Sequence, residues 1–165
     1  MAKFHDGITE EQAALIRRAP LFFVASAHPE LHGGADGVGP VNVSPKGGVP
    51  LHIVSPNRVA YLDTNGSGNE TARHGRLGGP VTVMVCSFDG PDAAIVRLYG
   101  RASVTPAEAS TLGAMLLASA RELMSSPRQV VEIEIARTMT SCGYGVPVMS
   151  VVRERQKADR GRRYS

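Results

Sequence analysis

The chain has 165 residues and a mass of 17.5 kDa, which fits one domain that buries roughly two-thirds of its unfolded surface. Its 42% hydrophobic content excludes an intrinsically disordered chain, while eighteen glycines and eleven prolines favour a mostly β protein with many turns. The net charge of +3 does not indicate a nucleic-acid-binding protein, because residues 153–165 carry six Lys or Arg against two acidic residues, which leaves −1 for the remainder.

Composition also indicates a soluble protein of the reducing cytoplasm. The chain has two cysteines far apart in sequence, no apolar run near twenty residues and no charged-then-apolar leader. We expect no disulfide between Cys86 and Cys142, and no membrane partner. We divide the chain into a domain over residues 1–152 and a basic tail over 153–165, which we expect to be a solvated end and not a nucleic-acid contact.

The first predicted element is a short helix. Thr9 and Gln12 fit a capping box, in which the Thr9 hydroxyl accepts from the third helical amide and the Gln12 side chain accepts from the cap amide. Pro20 ends this helix at about Arg18, because its ring disfavours helical geometry in the residue before it. An apolar run over 21–27 then predicts a buried strand.

Turn-rich sequence follows this strand. Residues 28–39 hold five glycine or proline positions and form a long loop, which is a candidate lid or substrate loop. Strands are predicted over 40–46, 50–55 and 58–63, and the short turns between them indicate a meander of adjacent strands. A short helix is predicted near 69–76.

The second half of the chain contains three further strands and the longest predicted helix. Apolar runs and alternation predict strands over 81–88, 93–104 and 130–137. Residues 105–108 fit a second capping box with proline at the first helical position, which predicts a helix through about Met124. The predicted fold class is mostly β (α+β), with a six- to seven-stranded antiparallel split or closed β-barrel and peripheral helices.

Two segments predict a phosphate site. Residues 41–47 (VNVSPKG) alternate like a strand, and residues 63–71 (DTNGSGNET) place small polar residues where a helix begins. Backbone N–H groups at the start of a helix lack partners and lie at the positive end of its dipole, which favours an anion. Asn42, Ser44 and Lys46 share one face of their strand, so the lysine is expected to approach the same anion.

A purely structural interpretation of the same turn stays open. The segment does not close with the Gly-Lys-Ser/Thr of a Walker loop, and it lacks the third glycine of a dinucleotide fingerprint. In this interpretation Gly66 and Gly68 only shape the turn, and Asn69 or Ser67 caps the short helix. Lys46 would then be a solvated surface charge.

The histidines do not predict a metal site. His28, His32 and Asp36 share the long loop, but their spacing matches no established ligand pattern, so we expect no bound metal. His52 is expected to be packed and His74 to be a surface residue of the short helix. No Ser/His/Asp arrangement can be assigned, and the catalytic residues stay unknown.

Five segments, taken in order, carry a resemblance to a known family. They are VNVSPKG, RVAYLDTNGSGNETARH, VMVCSF, RLYGRASV and SCGYGVP. Their succession over about residues 5–152 resembles the pyridoxamine 5'-phosphate oxidase-related family of flavin-binding split barrels. The resemblance implies a six-stranded split barrel, a homodimer, and FMN bound at the dimer interface.

The resemblance also implies which residues bind the cofactor. The VNVSPK strand is similar to the family's strand along the flavin ring, and the YLDTNGSGNET segment is similar to its phosphate-binding strand and turn. The implied cofactor-binding residues are Asn42, Val43, Ser44, Lys46, Leu62, Asp63, Ser67, Gly68, Asn69, Glu70 and Thr71, with Arg73 as a further charge partner.

Two departures from the oxidase pattern bear on the substrate. The oxidases place consecutive basic residues at the phosphate turn, whereas residues 68–71 are neutral or acidic, so phosphate binding would depend on amides, hydroxyls and Lys46. The oxidases also end in a basic, aromatic-containing segment, where this chain has residues 141–147 (SCGYGVP). This argues against pyridoxamine phosphate as the substrate, and Tyr144 or Cys142 is expected to line a pocket near the flavin.

The combined expectation is a cytoplasmic, homodimeric FMN-dependent oxidoreductase of the pyridoxamine 5'-phosphate oxidase-like class that acts on an unidentified small molecule. In such a site the cofactor supplies the reactive atom, and the protein supplies orientation and electrostatics. One alternative is a deazaflavin-dependent reductase on the same fold. The other is a flavin- or haem-binding module without turnover, because fold alone does not establish catalysis.

Overall fold

The computed structural model describes residues 2–31, 39–66, 68–120, 126–155 and 159. Within these ranges the chain forms one antiparallel sheet of eight strands, flanked by three short helices. The strands are β1 (Lys3–His5), β2 (Leu21–Ala27), β3 (Val41–Gly47), β4 (His52–Ser55), β5 (Arg58–Thr64), β6 (Pro80–Cys86), β7 (Ala94–Pro106) and β8 (Pro127–Cys142). The helices are α1 (Glu10–Arg18), α2 (Glu70–Arg76) and α3 (Gly113–Ser119).

The strand order defines an open sheet. Neighbouring strands follow the order β3-β2-β6-β7-β8-β5-β4, and β1 also pairs with β8. The sheet is not closed, because β3 and β4 lie at its two ends without pairing to each other. The predicted antiparallel split barrel with peripheral helices is confirmed, and the strand that the prediction missed is β1.

The paired strands β7 and β8 form the longest ladder of the sheet. Their register runs from Ala94 opposite Cys142 to Pro106 opposite Gln129, with a shift between Tyr99 and Gly100. Strand β8 therefore extends well beyond the predicted range of 130–137 at both ends. This length lets a single strand contact β1, β5 and β7.

The predicted helix from the second capping box is wrong. Thr105 and Pro106 pair with β8 as the last residues of β7, so the cap does not form. A turn follows, and α3 begins only at Gly113 and ends at Ser119. Long-range pairing with β8 outweighs the local preference for a helix here, because propensity is a weak contribution that tertiary context overrides.

The predicted meander is wrong for β3. Strands β4 and β5 do form a hairpin, but β3 pairs with β2 and lies at the opposite end of the sheet from β4. The turn at Gly47 and Gly48, where Gly48 has a positive φ of 74°, thus sends the chain across the sheet and not into an adjacent strand.

The core lies on the inner face of the curved sheet. Val24, Val59, Val83, Leu98 and Ile133 are fully buried there and come from five different strands. Alternate residues of each strand face this core, as the period of two predicts. The capping box at the start of α1 is confirmed by reciprocal hydrogen bonds, and this helix packs its apolar face on the same core.

Candidate functional site

A cleft of about 360 Å³ opens between the end of β3, the end of β5 and the start of α2. Residues of β8 complete its lining. The volume lies within the range of roughly 300–1,000 Å³ that small-molecule sites occupy. The implied cofactor residues that line the cleft are Ser44, Lys46, Leu62, Asp63, Gly68, Asn69, Glu70 and Thr71.

The two segments predicted to form a phosphate site therefore border the same cleft. They reach it by the curl of the open sheet and not by a meander, because β3 and β5 are not neighbours in the strand order. The contact between them is direct, since the Lys46 Nζ atom lies 2.9 Å from Asp63 Oδ1. Lys46 also lies 5.6 Å from the centroid of the Tyr61 ring, which favours its position through a cation–π contact.

Asp63 is the centre of the polar contacts in the cleft. Its carboxylate accepts from Lys46 at 2.9 Å, from Arg128 at 2.6 Å and from the Gln129 amide at 2.8 Å. Burial alone would raise the pKa of Asp63, but these three hydrogen bonds outweigh it and hold the pKa below the ordinary value. Asp63 is thus ionised at neutral pH, and the two cations leave one net positive charge beside it.

Arg128 is a functional candidate that the sequence analysis missed. It lies near the start of β8, and its guanidinium donates to Asp63 and, at 3.1 Å, to the carbonyl of Gly68. The resemblance called for basic residues within the turn itself, whereas this cation reaches the turn from a strand 60 residues further along the chain. A longer prediction for β8, pairing Pro127 with Thr64, would have brought Arg128 to this place.

The side-chain carboxylate of Glu70 lies against the turn before α2, beside Gly68. The nearby backbone amides of Glu70 and Asn69, together with Arg73, hold the pKa of the Glu70 carboxyl below its ordinary value despite partial burial. Arg73 pairs with Glu70 at 3.0 Å, so the predicted extra charge partner is engaged within the helix. Because α2 has only seven residues, its dipole adds little attraction for an anion.

The alternative in which Asn69 caps α2 is met only in part. Asn69 is the N-cap residue, but its side chain makes no capping bond and instead accepts from Gln129 at 2.8 Å. Ser67 lies outside the described residues. The turn is therefore fixed by contacts with β8 rather than by a side-chain cap.

The polar face of β3 is linked to α2. Asn42 donates to Ser44 at 3.0 Å and to the Thr71 hydroxyl at 3.4 Å, as expected for residues that share one face of the strand. Asn42 does not itself line the cleft. Val43 points to the opposite face and is 63% exposed.

The prediction that His74 is a surface residue is wrong. His74 is 4% exposed, because α2 packs this side against β2, and its Nδ1 atom lies 3.0 Å from the Ser26 hydroxyl. His52 is half-buried, and burial lowers its pKa. His32 and Asp36 of the long loop lie outside the described residues, as does most of the candidate lid.

The SCGYGVP segment does not reach the cleft within one chain. Cys142 ends β8 opposite the start of β7, which is the far end of the strand from Arg128. Tyr144 is 90% exposed, and neither residue lines the cleft.

Of the basic tail, only Arg153–Arg155 and Asp159 are described, and Arg153 pairs with Asp159. None of the helices in the described ranges is long and apolar enough to cross a lipid bilayer.

An open antiparallel sheet with a charged cleft at its curled edge defines a small protein of the split-barrel class. No protein-family model matches the chain. A pyridoxamine 5'-phosphate oxidase family protein of Aspergillus flavus, ustO, is 34% identical over 155 residues, which cover 92% of this chain and 58% of that protein. The chain thus belongs to the pyridoxamine 5'-phosphate oxidase-related family, and it spans less than two-thirds of this relative's length.

Solved structures show the same fold. A suspected pyridoxamine 5'-phosphate oxidase from Lactobacillus delbrueckii aligns with a TM-score of 0.57 at 22% identity, covering 81% of this chain and 94% of its own. HupZ of Group A Streptococcus aligns with a TM-score of 0.55 at 21% identity, covering 79% of this chain and 91% of its own. The split barrel inferred from the sequence is thus shared with crystal structures of distant proteins.

Proposed function

We propose that the protein is an FMN-binding oxidoreductase of the pyridoxamine 5'-phosphate oxidase-like class, acting on a small molecule as a homodimer. The observation that carries the proposal is the cleft in which Lys46 and Arg128 share one buried carboxylate, Asp63. Lys46 and Arg128 against Asp63 leave one positive charge in this cluster, and Arg73 offsets Glu70, the second carboxylate of the cleft, which suits a phosphate group. The family membership supports a flavin as the molecule that carries this phosphate.

The described residues fit the polar parts of FMN. Lys46 and Arg128 would attract the phosphate, and Thr71 offers a hydroxyl on the same cleft. Ser44, oriented by Asn42, would hydrogen-bond the polar edge of the flavin ring, as the resemblance implies. Flavin supplies hydride or electron transfer, while this chain binds and orients it, so no separate catalytic acid or base is required.

Exposed apolar residues support the homodimer. Val41 and Val43 lie on the outward face of the end strand β3 and are 58% and 63% exposed. Tyr144 and Val152 are 90% and 94% exposed in the segment after β8. Val41 and Val43 are neighbours on one strand face, and adjacent exposed apolar side chains are typical of contacts between proteins, which a second copy of the chain would cover.

The first test is the identity of the small molecule that the native protein carries. We expect a yellow protein with a flavin absorbance spectrum and a released mass equal to that of FMN. A nicotinamide donor should bleach this spectrum, and air should restore it. A released deazaflavin would replace FMN in the proposal, and a flavin that no donor reduces would indicate a binding module.

A pair of substitutions with opposite signs tests the placement of the phosphate. Arg128→Met should weaken FMN by about 1.5–3 kcal/mol through loss of a charge-assisted contact, while riboflavin, which has no phosphate, should bind as before. Glu70→Gln should strengthen FMN, because a negative charge at the turn is removed. Arg17→Met, an exposed change on α1, is the control. An unchanged ratio of FMN to riboflavin affinity in both variants would contradict the placement.

A further inference from the structure

A buried row of side-chain hydrogen bonds connects the interior of the protein with the cleft. The imidazole of His74 lies with its Nδ1 atom 3.0 Å from the Ser26 hydroxyl of β2. The Ser26 hydroxyl lies in turn 3.4 Å from the Thr71 hydroxyl, which lines the cleft. His74 and Ser26 are 4% and 3% exposed, so water does not compete for these bonds.

The hydrogen atoms in this row fit two arrangements that run in opposite directions, and only one of them presents a hydrogen to the cleft. A hydroxyl group has one hydrogen and two lone pairs. The Thr71 oxygen accepts from the Asn42 amide at 3.4 Å and from Ser26 at 3.4 Å, which occupies both lone pairs. Its own hydrogen is then left to donate toward the cleft. In this arrangement Ser26 accepts from a hydrogen on His74 Nδ1, whereas in the opposite arrangement Thr71 donates to Ser26 and Ser26 donates to a bare Nδ1.

We propose that His74 is a positioning residue, which acts through Ser26 to aim the Thr71 hydroxyl hydrogen into the cleft as a donor for an anionic group. The identity of that group as the FMN phosphate rests on the function proposed above. The direction of the row, from His74 Nδ1–H to the cleft, is a property of the protein alone and holds without the cofactor.

The surroundings of His74 favour the neutral ring that this arrangement needs. Burial lowers its pKa, and the positive charge of Arg73 and the neighbouring His28 lower it further. A hydrogen bond to the backbone of Ser26 and the negative charge of Glu70 raise the pKa of His74 without reversing the shift. A neutral imidazole holds one hydrogen, so the choice between Nδ1 and Nε2 decides the direction of the row.

Nuclear magnetic resonance of the imidazole nitrogens in the flavin-free protein shows which nitrogen of His74 carries the hydrogen. We expect the His74 hydrogen on Nδ1, protected from exchange with solvent. A hydrogen on Nε2 would reverse the row and overturn the inference, whatever the protein binds. This outcome is therefore separate from a failure of the proposed function, which would show as a protein that binds neither FMN nor riboflavin.

Substitutions test the consequence for binding. His74→Leu and Ser26→Ala both interrupt the row, and each should weaken FMN by roughly three- to tenfold while leaving riboflavin unchanged. His74→Asn places an amide N–H near the position of Nδ1–H and should restore FMN binding to within about twofold. Should His74→Leu fold poorly, Ser26→Ala removes only a hydroxyl and keeps the test. Equal losses for FMN and riboflavin would show a merely structural role and contradict the inference.

A double-mutant cycle completes the test. In a Thr71→Val background the hydroxyl that the row positions is absent, so His74→Leu should cause no further loss of FMN. Within the row, Ser26 is the link between residues 71 and 74. A second loss of the same size in that background would overturn the inference, because it would show that His74 acts on the cleft by another route.

Discussion

A buried carboxylate in a cleft that is proposed to bind an anion needs a physical reason. Asp63 is 7% exposed and bonded to two cations and an amide, so its charge is compensated in place. Without it, Lys46 and Arg128 would repel each other and turn toward water. Asp63 therefore holds two flexible cations near each other before a ligand arrives, which reduces the entropy that binding must overcome.

This role gives the stability of the protein a dependence on pH. Because the pKa of Asp63 is lowered in the folded state, its contribution is present above its ordinary pKa of 3.8 and is lost as the pH falls through the folded value. We expect Asp63→Asn to lower the free energy of unfolding by about 1–3 kcal/mol at pH 7, with this difference shrinking below about pH 3.8. Urea unfolding at several pH values measures it.

The control for this prediction is an exposed carboxylate. Asp89→Asn removes the same charge from a side chain that is 63% exposed, and it should have little effect at pH 7. A difference between wild type and Asp63→Asn that stays constant from neutral to acidic pH would show that the carboxylate does not stabilise the fold by its charge.

At the residue scale, the sequence identified the parts of the cleft that β3 and the turn before α2 provide, and it missed the part that β8 provides. Ser44 and Lys46 could be placed on the same face because side chains alternate along a strand, and this rule needs no knowledge of which strands pair. Arg128 and Gln129 could not be assigned, since their place depends on pairing between β5 and β8. The burial of His74 was missed for the same reason, because it depends on which element packs on α2.

At the scale of elements, the ladder of β7 and β8 positions Arg128 in the site. One end of β8 carries Arg128 to the cleft, and the ladder fixes how far along the sheet that end lies. The register shift between Tyr99 and Gly100 lies in the middle of this ladder. An extra residue in one strand bends it and increases its twist, which here helps the sheet to curl.

Gly100 is the residue that this close approach requires. A Cβ atom at this position would lie 1.9 Å from the carbonyl oxygen of Glu134, which is too close without a backbone shift. We expect Gly100→Ala to lower the free energy of unfolding by about 3 kcal/mol, at the upper end of overpacking effects. Gly90→Ala is the matched control, because nothing lies within 4 Å of the added methyl group. Equal stability of the two variants in urea unfolding would contradict the expected clash.

The prediction of elements failed where local signals and long-range pairing disagree. Residues 105–108 have a good helix-start pattern, yet Thr105 and Pro106 continue β7 because Val130 and Gln129 offer partners opposite them. The pattern at Thr9 and Gln12 is equally local, and it was confirmed because no strand competes for that segment. A capping box therefore predicts a helix only where the backbone has no better partner.

At the scale of the whole molecule, the open sheet has two consequences. Its curl brings β3 and β5 together at the cleft, although they are separated by β2, β6, β7 and β8 in the strand order. The strand order could not be predicted, because no local sequence pattern distinguishes pairing of β3 with β4 from pairing of β3 with β2. The open sheet also leaves β3 as an end strand, and its exposed edge and apolar outward face favour association with another chain.

The expected association is a homodimer that buries this face. Val41→Lys places a charge on the outward face of β3 and should yield monomers, because a buried unpaired lysine opposes the contact. Sedimentation of the wild type should give a dimer, and the variant should also lose FMN, since the cofactor is proposed to lie between two copies. Met115→Lys on α3 changes a side chain that is 48% exposed and controls for the added charge. A Val41→Lys protein that remains a dimer with full FMN affinity would place the contact between copies on another face of the molecule.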